Sequence, residues 1–130
     1  MERHRVRERF GRAMRMSQPR DIQRVFQDSV KISNAYVTIR ARRRAIKTPR
    51  LALAIAKKHV SSAVKRNRIK RVVRESFRRN VGLLARLDVV VISLPALAGT
   101  DNESLRQALD AEWPNLLEKV RLSTEKSQAT

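Results

Sequence analysis

Between Lys57 and Arg79 the chain carries ten Lys or Arg residues and one acid, Glu75. The arginines dominate, and a guanidinium fork binds phosphate bidentately and stacks on bases as an ammonium cannot. At about 100° per residue, Ile69, Val72, Val73 and Phe77 gather on one side of a helix. Asn67, Arg71, Arg74 and Arg78 gather on another, with Arg68 beside them. Like charges at this spacing oppose each other by a few tenths of a kcal/mol per pair. One local acid cannot offset that, whereas a polyanion releasing its counterions would. Asn67 among the arginines can donate and accept, so it can orient a neighbour or read a polar edge. The pattern favours nucleic-acid binding over a merely solvated basic face. It does not by itself choose among RNA, DNA and an anionic membrane. A basic amphipathic helix can lie on lipid, but large interfacial aromatics are missing and Ile69, Val72 and Val73 read as ordinary core.

Catalytic chemistry by the polypeptide finds little support. His4 lies near the start, and His59 sits beside Lys58 at the helix start, where a phosphate contact or exposed polar role is commoner than a general base. No carboxylate pair, Ser/His/Asp order or metal-ligand cluster is visible. Asp88 opens an apolar strand and reads as a lone acid or, more commonly, as a strand-edge or capping residue. The absence of Cys excludes disulfide scaffolds, thiolate metal sites and cysteine nucleophiles.

The elements that must hold this helix follow from periodicity. Ser17 as N-cap with Pro19 behind it, then Ile22, Val25 and Phe26, predict a short amphipathic helix over 18–28. Residues 35–40 alternate with β-branched and aromatic members and predict a strand. The run 51–56 after Pro49 predicts a strand paired with the preceding one. Ser61 and Ser62 offer N-caps for the basic helix, and Asn80 and Gly82 stop it. Leu87–Leu94, with a continuous apolar centre, predicts a strand covered on both faces. Asp101, Asn102 and Ser104 cap a last helix with Leu105, Leu109, Leu116, Leu117 and Val120 as its stripe, which Pro114 kinks or restarts. The order α-β-β-α-β-α predicts an α+β two-layer sandwich, one mixed sheet with three helices. The β-α-β unit over 51–94 is long enough to join parallel strands.

The 130 residues fit one domain, with net charge +18 and 42% apolar residues. The charge is uneven: residues 1–79 hold 25 Lys/Arg and 5 acids, and residues 80–130 hold 5 and 7. The expected organisation is a basic flexible extension over 1–15, a domain over 16–122 and a flexible tail over 123–130. No run approaches the ~20 apolar residues of a membrane span, and the start has no apolar signal segment, so a small soluble intracellular domain is expected.

The stretch Ala56-Lys57-Lys58, then Ala63-Val64, Arg66-Asn67-Arg68, Lys70-Arg71 and Arg74-Glu75-Ser76-Phe77-Arg78 resembles, in fixed register, the signature of the bacterial ribonuclease P protein subunit. Asp21-Ile22-Gln23-Arg24-Val25-Phe26 resembles that family's first helix, and the resemblance spans about residues 12–122. It implies a fold like the second domain of ribosomal protein S5, with a left-handed β-α-β crossover in place of the usual right-handed one. It implies a partner, a large catalytic RNA, that with this protein cuts the 5′ leader from precursor tRNA. The RNA and its Mg²⁺, held mainly by the RNA, perform the hydrolysis; no catalytic or metal-ligating residue is assigned in the protein, and neither membrane nor DNA is expected as a partner. A cytoplasmic location goes with this role.

The resemblance also assigns surfaces. Lys57, Lys58, Lys65, Arg66, Asn67, Arg68, Lys70, Arg71, Arg74 and Arg78 would face the catalytic RNA. A cleft between the sheet and the first helix, with Ile22, Phe26, Tyr36 and Ile39, would hold the single-stranded leader by charge and stacking. Phe26 falls where the family places a cleft aromatic. Ile22 and Ile39 are aliphatic where relatives often carry aromatics, and Tyr36 stands as a substitute. The residues alone read Phe26 equally well as core beneath the first helix. Arg42–Arg44 is a further RNA contact or a solvated loop. The competing readings are a structural RNA-binding protein of ribosomal type, a protein-only nuclease, and a DNA-binding protein that would want a dimer and a helix-turn-helix layout.

Overall fold

A computed structural model describes residues 11–129. A 3-10 turn at Arg12–Met14 leads to α1 (Pro19–Gln27), β1 (Val30–Ser33), β2 (Val37–Arg43), β3 (Arg50–Ala54), α2 (Ala63–Arg79), β4 (Leu87–Ser93), a 3-10 turn at Pro95–Gly99 and α3 (Asn102–Ala129). The expected α+β sandwich and helix–strand order stand, with β1 as an added strand. Its four residues, Val-Lys-Ile-Ser, are too few to signal a strand alone and are fixed by antiparallel pairing with β2.

The sheet order is β1-β2-β4-β3. β2 and β4 are antiparallel, and β3 and β4 are parallel, joined through α2. β3 does not pair with β2 as expected, because β4 lies between them. β4 is apolar on both faces and takes the position where both neighbours and both faces are covered. The 44–49 connection does not close a hairpin. Arg44 N–H donates to Arg86 O, and Arg86 N–H donates to Lys47 O, both at 2.8 Å. These bonds hold Arg86 at φ 67°, in the left-handed region that non-glycine residues seldom occupy.

Period-2 alternation divides the core between two faces. Val37, Ile39, Ala41, Leu51, Val89 and Val91 pack under α2 and α3 with Ile69, Val73, Phe77, Leu109 and Trp113. Val90, with Ala52 and Ile92, packs on the other face under Val25 and Ile22 of α1 and Met16. The α2–α3 seam is fixed by Trp113, whose ring meets Phe77 edge-on at 6.2 Å and whose Nε1–H donates to Ser76 Oγ at 2.8 Å. Such an edge-on pair adds roughly 0.5–1.5 kcal/mol to its burial.

The helix ends differ from expectation in places. Gln18, not Ser17, is the N-cap of α1 and makes no side-chain bond there; its main-chain oxygen accepts from Asp21 N–H and Ile22 N–H, and Pro19 in the first turn has no N–H of its own to satisfy. Ser62 caps α2 by accepting from Lys65 N–H, and Asp101 caps α3 by accepting from Ser104 N–H. α3 runs through Pro114 without interruption and on to Ala129, through the segment expected as a flexible tail. Thr124 ties this last part down, donating to Val120 O and accepting from Arg43 Nε. Of the extension expected over 1–15, residues 1–10 lie outside the described residues, and Arg15 forms a bridge to Leu51.

Candidate nucleic-acid interface

α2 buries Ile69, Val73, Ser76 and Phe77, which turns its remaining faces outward. The predicted cations fall into two groups. The side chains of Lys57, Lys58, Lys70 and Arg71 make no ion pair or hydrogen bond among the described residues, and of these Lys57, Lys58 and Arg71 are exposed and Lys70 half-buried. Asn67 is exposed beside them. The others are partly engaged. Lys65 Nζ donates to Ala98 O at 3.2 Å, and Arg68 to Asn102 Oδ1 at 2.9 Å. Arg66 donates to Val60 O and Ser61 O at 3.0 and 2.9 Å, so it clamps the turn before α2. Arg78 and Arg79 both pair with Glu75, whose carboxyl is held below its ordinary range first by the Arg78 hydrogen bond. Burial, and then the charge of Arg15, pushes the Arg74 guanidinium down from its usual value. That places Arg15 near the same basic face, a neighbour reached only through the β3 edge and so not legible from helical spacing.

The cleft residues separate. Ile22 and Phe26 lie together on α1, and Phe26 is 45% exposed, so it is not the core residue it equally resembled. Ile39 is 0% exposed and belongs to the opposite face of the sheet, so it cannot line a cleft under α1. Tyr36 packs against that same core and does not join Phe26. For Ile39 the cause is strand parity, since one residue along β2 changes the face; Tyr36 lies in the turn before β2, outside that alternation. Arg40 is the β2 residue that does meet α1. Its guanidinium lies 5.6 Å from the centre of the Phe26 ring and donates to Ser29 Oγ. An alternation count from Val37 and Ile39 would have found it.

α1 is seated over the sheet by charge as well as packing. Arg50 binds Asp88 through two 2.8 Å hydrogen bonds and reaches Asp21 of α1 at 3.1 Å. The hydrogen bond to Asp88 is the first cause that holds the Arg50 guanidinium above its usual pKa. Asp88 is buried and fully occupied by this pair, with Arg44 at 3.7 Å, so it is an anchor and not a free acid. Arg42–Arg44 are likewise tied: Arg42 to Asp28, Arg43 to Thr124 and Arg44 to Thr48 O. Among the described residues no three His, Cys, Asp or Glu side chains come close enough to hold a metal ion, and no helix is long and apolar enough to cross a membrane.

A mixed sheet backed by two helices, with unmatched cations along one of them and an exposed aromatic under an arginine on the other face, defines a small polyanion-binding protein. Residues 10–118 match the family model Ribonuclease P. A ribonuclease P protein component of Thioalkalivibrio sulfidiphilus is 43% identical over 107 residues, 82% of this chain and 89% of the relative. One from Histophilus somni is 40% identical over 114 residues, 88% and 96% of the two chains. Among solved structures, the RNase P protein of Thermotoga maritima matches with a TM-score of 0.67 at 31% identity, covering 81% of this chain and 96% of that one. An RNase P protein mutant of Staphylococcus aureus matches in fold with a TM-score of 0.72 at 24% identity, covering 84% and 89%. The chain belongs to the ribonuclease P protein family.

Proposed function

We propose that this chain is the protein subunit of an RNA-based ribonuclease P, working in the bacterial cytoplasm. It binds the catalytic RNA through α2 and the turn before it, and the 5′ leader of precursor tRNA through the α1 face of the sheet. In this reading the RNA and Mg²⁺ held mainly by it cleave the phosphodiester bond, giving the mature tRNA 5′ end. The protein contributes affinity for the leader and relieves the demand for Mg²⁺. The observation that carries the reading is the set Lys57, Lys58, Lys70 and Arg71, cations without an acidic partner among the described residues, on α2 and the turn before it in a family of this name. Phosphates neutralise such charges with counterion release. Ile22, Phe26 and Arg40 form the leader surface, in which a base stacks on an aromatic or guanidinium plane while the cation meets the backbone. Tyr36 and Ile39 have no part in it.

The test is cleavage of precursor tRNA by a bacterial ribonuclease P RNA at low Mg²⁺, with and without this protein. A large gain at the mature 5′ end is expected. Tight RNA binding with no gain would leave a structural RNA-binding role instead, and cleavage without the RNA would point to a protein nuclease. Phe26→Ala should weaken precursor tRNA more than mature tRNA, and equal losses would remove the leader surface from the proposal.

A further inference from the structure

The turn between β3 and α2 holds a histidine whose ring is fixed from below. His59 Nδ1 lies 2.8 Å from Ser93 Oγ, and Ser93, at the end of β4, is 2% exposed. Ser93 Oγ also accepts from Ala56 N–H at 2.9 Å. Among the described residues these are its two partners, so the buried hydroxyl proton has one acceptor within reach, His59 Nδ1. A neutral ring protonated on Nδ1 would leave that hydroxyl proton unsatisfied, at the cost that attends any buried donor without an acceptor. The neutral ring therefore carries its proton on Nε2, and a doubly protonated ring carries one there as well. Nε2 is on the side of the ring away from Ser93, and the residue is half-buried, not enclosed.

The main chain around it is equally constrained. His59 N–H and Val60 N–H both donate to Ala56 O at 3.0 Å, and Arg66 closes the turn from α2 through Val60 O and Ser61 O. Lys57 and Lys58 are exposed on the same turn. From this arrangement we infer that His59 Nε2–H is a preset hydrogen-bond donor to a phosphodiester oxygen of RNA seated at the turn before α2, and that Ser93 is its positioning residue. The inference rests on the proposed role of α2 as the face toward the catalytic RNA. It adds a directional donor beside the exposed cations Lys57 and Lys58.

Two substitutions separate the ring's two nitrogens. In His59→Gln the side-chain amide N–H sits near the position of Nε2 and keeps the outward donor. In His59→Asn the shorter amide can still meet Ser93 but cannot reach outward. Each is titrated with a bacterial ribonuclease P RNA, with thermal unfolding as the check that the turn is intact. Wild-type binding comes first, since its absence would end the α2 reading itself. Given that binding, H59N should lose about tenfold in affinity, and H59Q should stay within about twofold of wild type. H59N binding like wild type, or H59Q falling as far as H59N, would overturn the inference. Imidazole ¹⁵N shifts report the tautomer directly, a readout that packing alone does not move. The wild-type ring should be protonated at Nε2, and Ser93→Ala should release it to a mixture of tautomers. A wild-type ring protonated at Nδ1 would equally overturn the assignment.

Discussion

α2 and α3 pack on the same face of the sheet, share the Phe77–Trp113 seam, and treat charge in opposite ways. On α3 each arginine has acids of its own helix: Arg106 pairs with Glu103 and Asp110, and Arg121 with Glu118 and Glu125. On α2 one acid, Glu75, serves Arg78 and Arg79, and Lys70 and Arg71 have no acid among the described residues. A helix whose charges cancel locally is a solvated face, and the small worth of such exposed pairs fits that role. A helix that leaves cations unmatched tolerates repulsion in the free protein that a polyanion removes on binding. Net charge alone would not separate the two cases; pairing does.

The largest expected effect concerns what the two helices share. Trp113→Ala removes the ring from the seam together with its hydrogen bond to Ser76, so stability should fall by about 3–5 kcal/mol in chemical denaturation. A loss below about 1 kcal/mol would mean that the helices do not depend on a common anchor.

Next comes the contrast itself. Lys70→Ala with Arg71→Ala should lower affinity for the catalytic RNA on the order of tenfold or more at moderate salt, with stability changed by less than about 0.5 kcal/mol. Filter binding and urea unfolding read the two quantities separately. Arg121→Ala should do the reverse on a smaller scale. It should leave RNA affinity unchanged and lower stability only slightly, since exposed helix pairs are screened by solvent. RNA affinity that fell equally in both variants would erase the distinction between the helices.

The smallest effect is a titration. Asp101 is held below the ordinary carboxyl range first by the Ser104 backbone N–H, and Glu103 and Glu118 by hydrogen bonds from Arg106 and Arg121. Groups with depressed folded-state pKa values add stability above their unfolded pKa and lose it as pH falls through the folded value. Acidification below about pH 4 should therefore loosen α3, with three such acids, more than α2, with Glu75 alone. Amide hydrogen exchange along the two helices measures it.

Much of this was readable in the residues, and the misses have physical causes. The face of α2 was legible because helical spacing alone brings Asn67 and Arg71 together, and the two-sided burial of β4 followed from its unbroken apolar run. Strand order was not, since the parallel ladder that sets β4 between β2 and β3 pairs segments joined through the whole of α2, which no periodicity encodes. The α1 surface was half legible: Ile22 and Phe26 stand on one helix, but the β2 residue opposite them depends on parity, which exchanges Ile39 for Arg40. The engagement of Arg66 with its own turn and the pairing of His59 with Ser93 across 34 residues depend on tertiary geometry.

The central claim, that RNA is bound by the unmatched cations of α2, is tested most directly by the salt dependence of affinity for a ribonuclease P RNA. Wild-type protein, the Lys70→Ala/Arg71→Ala variant and Arg121→Ala are compared across one salt series. The slope of log affinity against log salt should fall by roughly one for each α2 cation that meets a phosphate, and stay at the wild-type value in Arg121→Ala. Identical slopes in all three proteins would contradict it.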